Sequence, residues 1–171
     1  MKNIKSFINN ILVITRTRHF FTSIILLKIL LIDYGHAKSS SSWKSIDQSG
    51  NPIPWFTYPF IDYLKKQNLK PLSVFEYGSG YSTHFWSTHA KFVYSVEHSQ
   101  EWAKKTFLLL KNVPKSKYKL FIENSKKSYV NKISFSNQRK YDIVVVDGEY
   151  RKECAKIAIK YISKKGVIIL D

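Results

Sequence analysis

Three acidic residues stand at or just past the ends of apolar runs. Glu76 follows Val74-Phe75, Glu97 follows the run from Phe92 to Val96, and Asp147 follows the β-branched run that ends at Val146. The first acid is trailed by Gly78-Ser79-Gly80, and the third by Gly148. Glycines so placed permit a tight turn whose backbone N–H groups face a ligand. An acid about twenty residues beyond such a loop sits where a pair of ribose hydroxyls would lie, and one carboxylate can accept both donors. A glycine loop and three acids at the carboxyl ends of three strands describe a nucleotide- or cofactor-binding corner. A single acid of this kind reads most simply as a solvated strand end, so the set of three carries the reading.

Such a corner needs strands that stop at a common rim and helices that hold them there. Ser73–Tyr77 has the composition of a strand in a covered sheet. After the glycines a helix is predicted over 82–89, with Ser82 or Thr83 as its cap. The second strand is predicted over 92–96. Ser99 caps a helix over 100–111, Pro114 ends that region, and the third strand runs over 118–122. Residues 124–140 are polar, with at most one short helix. A fourth strand follows over 142–146, then a helix over 152–162 that Gly166 stops, then a fifth strand over 167–170. Strands alternating with helices at this spacing predict an α/β fold, a doubly wound, mostly parallel sheet with right-handed crossovers. Upstream, Pro52-Ile53-Pro54-Trp55-Phe56-Thr57-Tyr58-Pro59 is too stiff for a flexible linker. It reads as an ordered lid or entry segment, followed by a helix over 60–67.

The bulk numbers set bounds on this scheme. A chain of 171 residues, 44% hydrophobic and 15% aromatic, holds one domain with a real core. The single cysteine, Cys154, excludes an internal disulfide framework and a cysteine-based metal cluster, and no other metal site is expected. The formal charge of +16 invites a nucleic-acid or anionic-membrane partner. The only arginines, however, are Arg16, Arg18, Arg139 and Arg151. Bidentate recognition of bases and phosphates favours arginine, so the lysine excess reads as compositional bias and nucleic acid is not the expected partner. Residues 1–50 form a basic, apolar, helical extension with a serine-rich linker from Lys38, and 51–171 form the cofactor domain. The run from Phe20 to Ile32 is shorter than a spanning helix needs and is interrupted by Lys28. Gly35-His36-Ala37 would suit a signal-peptide cleavage site, but Arg16, Arg18 and Lys28 fall where the apolar segment should be continuous. The run therefore reads as an amphipathic helix that lies on a membrane, or that packs on its own domain or a second subunit. The expected location is cytoplasmic, at most peripheral to the membrane.

The corner resembles the class I S-adenosylmethionine-dependent methyltransferases. Glu76-Tyr77-Gly78-Ser79-Gly80-Tyr81-Ser82 resembles the first motif of that family, Val96-Glu97-His98 the second, and Val144-Val145-Val146-Asp147-Gly148 the fourth. The resemblance covers roughly 71–171, and its texture is similar to bacterial methyltransferase-like proteins of unassigned substrate. It implies a Rossmann-like sheet of order 3-2-1-4-5 and S-adenosyl-L-methionine as cofactor. The methyl acceptor would be a small molecule or glycan-type compound. Tyr77, Gly78, Ser79 and Gly80 would bring the loop backbone to the methionine part, and Glu76 would accept hydrogen bonds near its ammonium. Glu97 would bind the ribose hydroxyls. His98 would flank the adenine or is a part-exposed loop histidine, and Asn124 would meet the adenine amino group. Asp147 would orient the acceptor nucleophile or serve as general base. A dinucleotide site fits less well: Thr83 stands where the third glycine of G-x-G-x-x-G belongs.

The family continues beyond its fifth strand, so the resemblance implies a chain shortened at its carboxyl end. The edge of strand five would then be bare, or covered by a second copy, a partner chain or the N-terminal helices. Two other functions follow from the same residues. One is a non-catalytic module that docks on a membrane or partner through 20–32. The other is a nucleic-acid methyltransferase that uses the lysine-rich surface between Lys104 and Lys140.

Overall fold

The computed structural model describes residues 17–135 and 140–171, together with 4–7, 10 and 13. Arg16 and Arg139 lie outside the described residues. The chain divides into two compact units, 1–51 and 52–171.

In the first unit, helix α1 (Arg18–Lys28) continues as a π-helical turn over Ile29–Asp33. Gly35, in the left-handed conformation, then turns the chain into α2 (His36–Ser42). The serine run is thus helical, where a polar linker was expected. The hydroxyls of Ser40, Ser41 and Ser42 bond back to carbonyls of the preceding turn, as Ser42 Oγ does to Lys38 O at 2.8 Å, so they find partners without leaving the helix.

The second unit begins with the proline- and aromatic-rich segment and α3 (Tyr58–Lys66), whose Pro59 sits in the first turn, where no N–H is needed. Strand β1 (Ser73–Tyr77) leads to α4 (Tyr81–His89), and β2 (Phe92–Glu97) to α5 (Gln100–Leu109). Strand β3 (Tyr118–Ile122) precedes α6 (Lys126–Asn131) and a 3₁₀ turn. Strand β4 (Tyr141–Val146), α7 (Arg151–Tyr161) and β5 (Ile162–Leu170) complete the unit. All pairings are parallel, and the order is β3-β2-β1-β4-β5.

Every residue of the central strand β1 is buried, because helices cover both faces. The pleat divides the apolar residues in two. Val74, Val93, Ile143 and Val145 pack with Phe85 and Trp86 of α4 on one face. Phe75, Tyr77, Val96, Val144 and Val146 pack with Tyr129 of α6 and Cys154 and Ala158 of α7 on the other. Phe75, Tyr77, Tyr129 and Tyr141 meet at tilted or edge-on angles, the arrangement that aromatic quadrupoles favour.

The carboxyl-terminal strand departs from expectation. It begins at Ile162, directly after α7, and Gly166 lies inside it rather than stopping the helix. Tyr141 pairs with Ile162 but Ile143 pairs with Val167, so extra residues are taken up in a bulge. A side chain at 166 would collide there with Asp142 O and Ile162. Among the described residues, β5 pairs with β4 alone, and its Val167 and Leu170 are exposed.

Candidate functional site

The strands of a parallel sheet all present their carboxyl ends to one rim, where loops and helix N-termini converge. Here that rim holds a cleft of about 600 Å³, within the range of small-molecule sites. The peptide ladder extends one residue past each strand at the centre. Gly78 N donates to Val96 O at 2.8 Å, and Asp147 N donates to Tyr77 O at 3.0 Å. These two bonds fix where the glycine loop and the β4 loop leave the sheet. Gly78 has φ +99°, and a Cβ there would lie 3.3 Å from Gly148 N, so the two loops touch through backbone. Gly80, at φ +152°, lies under the Trp102 indole, whose Nε1 donates to Ser79 O.

Glu97 is 3% exposed at the end of β2. Its Oε1 accepts from His98 N at 2.8 Å and Ser99 N at 2.9 Å, and its Oε2 accepts from Ser79 Oγ at 3.0 Å. Two backbone donors and a hydroxyl hold the carboxylate in one orientation on the cleft wall, and Oε2 keeps capacity for a further donor. His98, half exposed, places Nδ1 3.1 Å from Glu97 Oε1 and Nε2 3.9 Å from Glu149 Oε1.

Glu76 is fully buried beneath the loop and does not line the cleft. Its Oε2 accepts from Thr83 Oγ1 at 2.5 Å and from Ser95 Oγ at 2.8 Å, and Ser95 is its register partner on β2. Thr83 Oγ1 in turn accepts from Gly80 N at 2.9 Å. The expected hydroxyl cap is therefore present in another form: Gly80 is the N-cap of α4, and Thr83 reaches back to it from the first turn. Among the described residues, Glu76 Oε1 is buried without a hydrogen-bond partner. Burial pushes its carboxyl up to about 7, against the lowering effect of the hydroxyls of Ser82, Thr83 and Ser95.

Asp147 sits opposite, with its side chain one-third exposed. Burial and the neighbouring Asp171 push it up to about 6, while Arg151, with Nη2 3.7 Å away, opposes the shift. Arg151 also donates to Gly148 O and Asp171 O, so one guanidinium ties the β4 loop to the end of β5.

Of the residues singled out from sequence, the cleft gathers Gly78, Ser79, Gly80, Glu97, His98 and Asp147. Tyr77 lies on the opposite face, where its hydroxyl donates to Val130 O at 2.8 Å. Asn124 is exposed and does not line the cleft. The residues missed are Trp102, Glu149, Arg151 and Asp171; Tyr81 and Ser82 were known only from the glycine motif, Ser99 only as a cap and Trp55 only as part of the entry segment. Most of them directly follow a strand end or its glycine turn, which is the signal that could have found them. Trp102 is the exception, because it reaches the loop from one turn inside α5. The lining carries Glu97, Asp147, Glu149 and Asp171 against Arg151 and His98, a locally acidic cleft in a chain of charge +16.

No family model and no curated protein matches the sequence. Solved structures do match the fold. An rRNA methylase from Streptococcus thermophilus superposes with a TM-score of 0.51 at 15% identity, over 64% of this chain and 66% of that one. A precorrin 8W decarboxylase from Methanobacterium thermoautotrophicum gives 0.53 at 17% identity, over 69% and 64%. An S-adenosylmethionine-dependent methyltransferase from Thiobacillus denitrificans, solved with S-adenosyl-L-homocysteine, gives 0.51 at 15% identity, over 72% and 52%. The chain thus spans about half to two-thirds of the length of these proteins. Identity this low establishes the shared architecture, the Rossmann-like methyltransferase fold with strand order 3-2-1-4-5.

Proposed function

We propose that this chain, which has the fold of the class I S-adenosylmethionine-dependent methyltransferases, binds S-adenosyl-L-methionine in the rim cleft and transfers its methyl group to a small-molecule or glycan-type acceptor. The observation that carries the proposal is Glu97. It is a buried, donor-oriented carboxylate on the cleft wall, hydrogen-bonded to the glycine loop through Ser79. The donor set fits the cofactor. A carboxylate with residual acceptor capacity suits a pair of ribose hydroxyls, and an acidic cleft suits a ligand bearing an ammonium and a sulfonium. A pyrophosphate-bearing dinucleotide would meet four carboxylates instead.

When bound, S-adenosylmethionine supplies an electrophilic methyl group. The chain contributes orientation: Glu97 and the Ser79 loop fix the nucleoside, and Glu76 braces the loop from below through Thr83. Holding a nucleophile in line with the methyl can contribute up to ~7–11 kcal/mol in well-oriented systems. Asp147 is suited to orient an acceptor hydroxyl or amine, or to take its proton, because a carboxyl raised to about 6 is a stronger base than an ordinary aspartate and is still ionised at neutral pH. The acids around Asp147 favour a neutral or cationic acceptor over a phosphate backbone, since only Arg151 and His98 among the lining residues can carry positive charge.

Calorimetric titration with S-adenosylhomocysteine tests the reading. Binding in the micromolar range by wild type, abolished in Glu97→Ala, is the expected result. A folded sample that gives no binding heat or competition would overturn it.

A further inference from the structure

We propose that α1, together with Trp43, seats the first unit in the headgroup boundary of an anionic lipid bilayer. The inference is independent of what the cleft binds.

The apolar surface comes first. Phe20, Phe21, Ile24, Ile25, Leu26 and Leu27 are each between 47% and 66% exposed on a single helix. A water-facing helix does not ordinarily carry six such neighbours, and a patch of this kind marks an interaction surface. Phe20, Ile24, Leu27 and Leu31 recur at four- and three-residue spacing and so share a stripe. In the same stretch His19 and Thr22 fall on the other side, with Leu26 between them, and Ser23 borders the stripe. An apolar stripe backed by polar residues is the form of a helix that lies along an interface.

Charge selects the occupant. Residues 1–32 contain Lys2, Lys5, Arg16, Arg18 and Lys28 and no acidic residue; the first acid is Asp33. An uncharged apolar protein surface has no use for this one-sided charge, whereas anionic headgroups attract each cation near them by ~1 kcal/mol. Lys28, within the apolar run, has a side chain long enough to bury its stem and leave the ammonium among headgroups.

A second element of the same unit points the same way. Trp43 is 85% exposed and held at φ +52° as the C-cap of α2, followed directly by Lys44. Tryptophan is enriched at the water–lipid boundary, and a lysine beside it suits anionic headgroups.

Length favours lying over spanning for this helix on its own. At 1.5 Å per residue, α1 and its π-helical extension reach about 24 Å, short of the ~30 Å hydrocarbon core. Among the described residues no single helix is long and apolar enough to cross a membrane. The next helix is bent away by 54° and is mostly serine; the bent pair is long and apolar enough only when the two are taken together.

Flotation of the full-length chain tests the proposal. The vesicles are phosphatidylcholine alone, or about two parts phosphatidylcholine to one part phosphatidylglycerol. The chain is expected to float with the anionic vesicles, and about tenfold less with neutral ones or in ~0.5 M salt. Ile24→Glu/Leu27→Glu should reduce flotation about tenfold or more, and Trp43→Ser about threefold, with unchanged thermal melts of the cofactor domain. No flotation of wild type, or flotation indifferent to the double substitution, would overturn the proposal. So would retention of the chain in the bilayer after an alkaline carbonate wash, which would make the segment a span. A lipid-free dimer that the double substitution dissociates, without wild-type flotation, would also overturn it and assign the stripe to a second copy.

Discussion

The two halves of the strand-end rim use the same side-chain chemistry under different constraint. At β1 and β2, Glu76 and Glu97 are buried and each accepts at least two short hydrogen bonds from neighbouring hydroxyl or backbone donors. At β4 and β5, Asp147 and Asp171 face each other across a part-open loop, with Arg151 as their common cation. The first half is built to hold one geometry. The second keeps a part-exposed acid, raised to about 6, on the cleft wall itself. The difference lies in donors: Glu97 faces the N–H groups that open a helix, whereas Asp147 faces another carboxylate.

The contrast can be broken or sharpened by substitution. The largest effect is expected in the constrained half. Glu97→Ala removes the acceptor for His98 N, Ser99 N and Ser79 Oγ as well as for the ribose hydroxyls of the proposed cofactor, and charged hydrogen bonds contribute about 1.5–3 kcal/mol each. A loss of cofactor affinity of about thousandfold or more by calorimetry is expected, and a loss under tenfold would break the comparison.

Glu76 comes next, through pH. Its folded carboxyl is raised to about 7 from 4.5, so between those values the folded state keeps a proton that the unfolded state has lost. Stability contributed by this group is therefore present below about pH 4.5 and declines as pH rises towards 7, by about 3 kcal/mol in all. Denaturant midpoints measured across that range should fall with pH in wild type and flatten in Glu76→Gln, whose neutral amide needs no proton.

In the open half, Asp147→Asn should leave cofactor affinity within about twofold and lower kcat about hundredfold if Asp147 takes the acceptor's proton. The wild-type rate should rise with pH through about 6, as the carboxyl ionises, and that limb should vanish in the variant. A small rate loss with no change in profile would reduce Asp147 to an orienting role.

The smallest effect belongs to Trp102→Phe. It removes the indole N–H from Ser79 O but keeps a ring over Gly80. Cofactor affinity should weaken about fivefold, with little change in melting temperature.

Much of the sheet was legible because its signals are local. Ser73–Tyr77 and Tyr118–Ile122 were bounded correctly, since an apolar β-rich run and its flanking breakers lie within a few residues of each other. Gly166 misled for the converse reason. A glycine after a helical pattern signals a stop, but here the stop is Ile162 entering the sheet, and the glycine serves a bulge that only the pairing with β4 creates. The serine run misled similarly, because hydroxyls that break helices in isolation also close onto a preceding turn.

For the candidate site, residue types and spacing determined that acids and glycines would meet at one rim, because parallel strands of similar length end together. Which atoms face the cleft was decided by the tertiary structure. The pleat alternates sides with each residue, so Tyr77 turns into the far core while Gly78 opens onto the cleft. Glu76 belongs to the face that α4 covers, and the first turn of that helix closes over it. Trp102 reaches Ser79 only because α5 packs beside the loop, and Asp171 meets Asp147 only because β5 pairs with β4. Period and turn chemistry are properties of neighbours along the chain. Facing, cover and the company a carboxylate keeps are properties of neighbours in space.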